Sequence, residues 1–147
     1  MNQKPQRTGF VQAFRDQLGF QPTADQELAI QRLTDFVLHR DTLDIFILSG
    51  YAGTGKTSLI GALVNTMRLI KTRTVLLAPT GRAAKVLSNY SGQKAATIHR
   101  HIYHTSESED TGGFNLGTNR FKDTLFIVDE ASMIGIDSGI AGENQFT

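Results

Sequence analysis

The chain has 147 residues, enough for one domain with its own core. Hydrophobic residues make up 39% and charged residues 20%, a globular rather than a disordered balance; the absence of cysteine excludes disulfides and thiolate metal sites and fits a reducing cytoplasm. The net charge of +1 hides an uneven distribution: no Asp or Glu occurs between Ile45 and Ser106, where Lys56, Arg68, Lys71, Arg73, Arg82, Lys85, Lys94 and Arg100 fall, so a positive field is expected there that draws polyanions, nucleotide first and nucleic acid next.

The polar start, Met1 to Gly9, lacks the apolar run of a secretion signal, and no stretch approaches the length of a membrane span. Phe10 to Leu18 reads as a short helix, broken by Gly19 and Pro22, so residues 1–22 form an N-terminal helical segment. A longer helix is expected from about Ala24 to Leu38, where Ala29, Ile30, Leu33, Phe36 and Val37 recur at three- and four-residue spacing. Thr23 and Gln26 at its start have the spacing of a capping box. The paired donor and acceptor of Gln26 equally suit the edge of an adenine, and both roles stay open.

Asp44 to Leu48 reads as the first buried strand. It leads into Gly50-Tyr51-Ala52-Gly53-Thr54-Gly55-Lys56-Thr57, which fits G-x-x-x-x-G-K-[ST], the phosphate-binding loop known as Walker A. A helix is expected from Ser58 to Ile70, with Leu59, Ile60, Leu63, Val64, Met67 and Ile70 on one broad face. In that setting unpaired backbone N–H groups at a helix start face an anion, with Gly50, Gly53, Thr54, Gly55, Lys56 and Thr57 as the expected nucleotide-binding residues. Gly50, Gly53 and Gly55 allow angles and close approach that a side chain would block. Lys56 can reach the β- and γ-phosphates of ATP, and the Thr57 hydroxyl can sit on Mg²⁺. The alternative is a glycine-rich turn carrying an ordinary surface lysine.

Thr74 to Ala78 reads as a second strand stopped by Pro79, and Gly81 to Tyr90 as a helix with Ala83, Ala84, Leu87 and Tyr90 inward. At that helix start Thr80 and the Gly81 backbone could hold a phosphate, with Arg82 adding charge; Thr80 could equally be a plain N-cap. Ala96 to Tyr103 reads as a short helix, and Thr105 to Asp123 as a long aperiodic loop. His99, His101 and His104 lack the spacing of a helical zinc site and have no carboxylate nearby in sequence, which favours a nucleic-acid contact or a structural hydrogen bond over a metal. Leu125 to Val128 reads as a third strand, ending in Asp129-Glu130, the Walker B pattern. Ligands of open parallel sheets lie beyond the carboxyl ends of strands, so Asp129 is expected to hold Mg²⁺ through its water shell and Glu130 to polarise the attacking water. Strands alternating with helices imply an α/β fold built of parallel βαβ units.

Together, Gln26, Gly50 to Thr57, Ala78 to Ala84, Thr97 to His99 and Asp129-Glu130-Ala131-Ser132 resemble the superfamily 1 DNA helicases of the RecD/TraA-like branch. The resemblance runs from about Phe20 to Met133 and implies a P-loop NTPase (RecA-like) sheet over residues 23–147, incomplete, with ATP and Mg²⁺ as cofactors. By that likeness Gln26 reads adenine; Lys56, Thr57, Asp129 and Glu130 serve phosphate, magnesium and water; and Pro79, Thr80, Arg82 and His99 lie along single-stranded DNA. The family drives 5′-to-3′ movement on single strands by ATP hydrolysis. It also uses a second RecA-like domain, a Gly-Asp-x-x-Gln segment after Walker B and arginines across the cleft. None of these occurs here, so the chain is expected to be the N-terminal part of such a motor, weakly active by itself. A P-loop kinase or loader ATPase, and a non-catalytic nucleotide-binding module, are the alternatives.

Overall fold

The computed structural model describes residues 3–39, 44–105, 114–116 and 123–135. In chain order the elements are helix α1 (Gln3–Leu18), α2 (Ala24–His39), α3 (Lys56–Leu69), strand β1 (Arg73–Ala78), α4 (Gly81–Ser91), β2 (Ala96–Thr97), α5 (Ile98–Ile102), β3 (Tyr103–Thr105), β4 (Phe114–Leu116) and β5 (Thr124–Val128), followed by a 3₁₀ turn at Ala131–Met133. The first helix begins well before Phe10. Among the described residues no helix is long and apolar enough to cross a membrane.

β1 lies at the centre of a parallel three-stranded sheet, with β2 on one side and β5 on the other. Val75 is opposite Phe126, and Leu77 is opposite both Val128 and Ala96. The expected parallel α/β arrangement is therefore present. The span read as one helix from Ala96 to Tyr103 divides into β2, the single-turn α5 and the start of β3. β3 pairs antiparallel with β4, so the aperiodic stretch also contains a strand; the rest of Thr105 to Asp123 lies outside the described residues, Asp123 and Thr105 apart.

The main core is made by the three leading helices. Phe10, Val11, Phe14 and Leu18 of α1 meet Ile30, Leu33 and Val37 of α2 and Leu59, Ala62, Leu63 and Met67 of α3; Leu125 and Ile127 of β5 pack against this cluster. The two leading helices are also clasped by charge. Arg15 makes a two-pronged bond to Glu27, and Arg7 bonds Asp35. The Arg15 bond, helped by Gln31, holds the Glu27 carboxyl down at about 2 from its ordinary 4.5. A depressed carboxylate stabilises the fold above its unfolded value and loses that contribution as pH falls towards its folded one. Both partners are about one-third exposed, so solvent screens the pair and leaves it a small margin. Glu27→Gln should remove this margin at pH 7 and leave stability nearly equal to wild type by pH 2, as urea unfolding at both pH values would show.

Two expectations are corrected. Asp44 to Leu48 forms no strand: among the described residues its backbone joins no ladder. Phe46 and Leu48 pack against the main core, whereas Ile45 and Ile47 are 85% and 83% exposed. The alternation is that of an extended chain lying on one surface, without a neighbouring strand to complete a ladder. In α4, Ala83, Ala84 and Leu87 do face inward, but Tyr90 is 62% exposed and Ser91 is buried in its place. The hydroxyl of Ser91 donates to Leu87 O at 2.7 Å, which removes the cost of burying it.

Candidate nucleotide site

The Gly50–Thr57 turn delivers the chain from the extended 44–49 segment into α3. Gly53 and Gly55 have φ of 80° and 86°, the left-handed region that glycine enters without strain. Thr54 closes the turn: its N–H and its hydroxyl both donate to Tyr51 O, at 3.3 and 2.7 Å. At Gly50 a Cβ would come within 2.9 Å of Thr54 Oγ1, so a side chain there would displace the Thr54 hydroxyl. Gly55 caps α3 without a side-chain bond, and the first turn carries no acid. The early N–H groups of α3 therefore have no capping side chain, the condition in which a helix start accepts an anion.

Lys56 bends back over this turn. Its ammonium donates to Gly50 O and to Tyr51 O, the latter at 2.8 Å, and lies 3.5 Å from Thr54 Oγ1. These are neutral acceptors. A phosphate oxygen carries charge and makes roughly twice as strong a bond, so an arriving triphosphate has the advantage over both carbonyls. The turn stands open to solvent, with Tyr51 89% exposed. A separate cleft of about 670 Å³ opens between α1 and α2, lined by Arg15, Phe20, Pro22, Thr23 and Glu27 and by no residue of the turn.

Gln26 and Thr23 form the capping box in full. The Gln26 N–H donates to Thr23 Oγ1 at 3.3 Å, and the Thr23 N–H donates to Gln26 Oε1 at 2.9 Å. Sequence spacing gave no sign of a third bond: Gln26 Nε2 donates to Thr54 O at 3.3 Å, which joins α2 to the phosphate turn. Contacts between residues so far apart along the chain leave no local pattern to read.

The sheet register gathers the remaining residues. Leu77 is paired with Val128, and the ladder continues with the Asp129 N–H donating to Leu77 O at 3.0 Å. Ala78 is paired with Thr97. Asp129, Pro79-Thr80 and Ile98-His99 therefore all leave the sheet at its carboxyl end. Asp129 is half-buried and accepts the Glu130 N–H at 2.9 Å; Glu130 is exposed and takes a left-handed φ of 51°, uncommon for a residue with a side chain. Lys56 and Thr57 open α3, whose Leu59, Leu63 and Met67 share a core with Leu125 and Ile127 of β5.

Thr80 caps α4, accepting the Ala83 N–H at 3.2 Å, and Thr97 caps α5, accepting the Arg100 N–H at 3.1 Å. Arg82 and Lys85 are exposed and have no ion pair among the described residues. The His99 ring sits 4.6 Å from that of Tyr103, and the His101 ring meets the edge of Phe126 at 5.8 Å. Among the described residues no group of three or more histidines and carboxylates could hold a metal. Thr57 and Asp129 each carry an oxygen donor of the kind Mg²⁺ takes alongside water and substrate phosphates.

Residues 22–140 match the AAA domain. The chain belongs to the AAA domain family. Among curated proteins it is 33% identical over 100 residues to the multifunctional conjugation protein TraI of Escherichia coli K12, a match covering 65% of this chain and 5% of TraI. It is 33% identical over 94 residues to the ATP-dependent RecD2 DNA helicase of Deinococcus radiodurans, covering 62% of this chain and 12% of RecD2. Against the ATP-dependent DNA helicase dda of Enterobacteria phage T4 the identity is 48% over 56 residues, 35% of this chain and 12% of dda. The AAA domain here thus spans a small part of the length of the relatives it matches. These matches agree with the resemblance to the RecD/TraA-like branch of superfamily 1. No solved structure matches it.

Proposed function

We propose that this chain binds MgATP on the Gly50–Thr57 turn and forms the front of a motor that works on single-stranded DNA. The observation that carries this is the turn itself: two left-handed glycines, an uncapped helix start and a lysine held over the loop by nothing stronger than neutral carbonyls. Lys56 would bind the outer phosphates. Thr57 and Asp129 would share the metal, which neutralises charge on the β- and γ-oxygens. Glu130, exposed beside Asp129, would polarise the attacking water. Gln26 would face the adenine. The RecD2 and dda helicases are named for ATP and DNA, and the open carboxyl end bearing Pro79, Thr80, Arg82 and His99 is the surface on which a single strand would run.

The metal role has its own test. Outer-shell partners of a metal typically contribute about 10- to 100-fold to its affinity. Asp129→Asn should weaken the apparent magnesium affinity of the ATP complex by about that factor, and leave ATP binding in EDTA unchanged. Calorimetric titrations with and without Mg²⁺ compare the two; equal magnesium dependence in variant and wild type would remove Asp129 from the site.

A further inference from the structure

We infer that Gln26 positions the phosphate loop itself, acting through the Thr54–Gly55 peptide, and so strengthens triphosphate binding whatever base is attached. This rests on the nucleotide site proposed above and adds a role that reading adenine does not include. Gln26 is buried at the N-terminal turn of α2. Both ends of its carboxamide are engaged within the protein: Oε1 accepts the Thr23 N–H and Nε2 donates to Thr54 O. One partner is a donor and the other an acceptor, so only one orientation of the amide satisfies both.

The consequence follows from peptide geometry. The bond between Thr54 and Gly55 is trans and planar, so the Thr54 carbonyl and the Gly55 N–H point to opposite sides. A tether on that carbonyl from α2 fixes the direction of that N–H, one of the donors that a phosphate loop presents. Without it, the glycine on one side of the peptide would let the plane turn. The contact is close: a Cβ on Gly55 would run into Gln26 Nε2. Holding a donor in its bound orientation before the ligand arrives removes an ordering cost from binding. Gln26 is accordingly a positioning residue for the triphosphate.

Inorganic tripolyphosphate with Mg²⁺ separates this role from base recognition, because it has no base. Two variants of the whole chain are needed. Gln26→Glu keeps the acceptor of the capping box and loses the Nε2 donor; Gln26→Ala loses the donor without adding charge. The net value of one hydrogen bond corresponds to a loss of about three- to tenfold in affinity. Both variants should show that loss for tripolyphosphate, with the circular dichroism of Gln26→Glu unchanged. Tripolyphosphate affinity equal to wild type in either variant overturns the inference, and a loss seen only with ATP reduces Gln26 to a base reader. Failure of the wild-type chain to bind tripolyphosphate would instead overturn the nucleotide site, and the inference with it.

Discussion

Lys56→Ala should abolish measurable MgATP binding while the protein stays folded. The ammonium is held by carbonyls of its own loop, Gly50 O and Tyr51 O, that face solvent. Removing it leaves those groups to water, so the unfolding midpoint should scarcely change. The bound state loses much more. Hydrogen bonds to charged groups contribute about 1.5–3 kcal/mol, and a lysine that meets two phosphates loses more than one of them, which amounts to about 100-fold or more in affinity. Titration calorimetry beside thermal unfolding measures both quantities on one sample. Wild-type ATP affinity in the variant would take the Gly50–Thr57 turn out of the site, and a large fall in the unfolding midpoint would show Lys56 to be structural.

The largest effect on stability is expected from Phe14→Ala. Phe14 is fully buried, meets Phe10 edge-on at 6.2 Å and anchors α1 in the cluster that also holds Leu59, Leu63 and Met67 of α3. Truncating a core phenylalanine costs about 3–5 kcal/mol, against about 5–15 kcal/mol of total stability for a typical domain. Urea denaturation should register a loss of that size. Because α1 rests on the helix that begins at Lys56, the variant should lose nucleotide affinity as it loses stability. A change below about 1 kcal/mol, the size of an ordinary surface substitution, would show that α1 is not docked as described.

The sequence made the periodic elements plain. α2, α3 and α4 each carry an apolar stripe at three- and four-residue spacing, and β1 and β5 are short apolar runs ended by Pro79 and by Asp129-Glu130. What it concealed depended on partners. Ile45 to Leu48 is as apolar as a buried strand, but a strand also needs a neighbour, and none among the described residues pairs with it. Tyr90 outranks Ser91 in hydrophobicity, yet the last turn of α4 buries the serine because its hydroxyl has a carbonyl within reach. β3 and β4 pair through backbone bonds that leave no periodic mark over three residues each.

The candidate site divides in the same way. Lys56, Thr57, Asp129 and Glu130 could be read from local motifs. The assembly of Asp129, Thr80 and His99 at one end of the sheet required the register of β1 against β2 and β5. For Gln26, the capping box and the contact with Thr54 occur together, and only the first was visible in the order of residues.

A crystal structure of this chain with Mg²⁺ and a non-hydrolysable ATP analogue tests the proposed nucleotide site most directly. The phosphates should lie against the backbone N–H groups of Gly53 to Lys56, with Lys56 Nζ moved from Gly50 O and Tyr51 O onto phosphate oxygens and the Asp129 carboxylate within one water of the metal. Phosphates bound elsewhere, or a metal beyond the reach of both Thr57 and Asp129, would refute it.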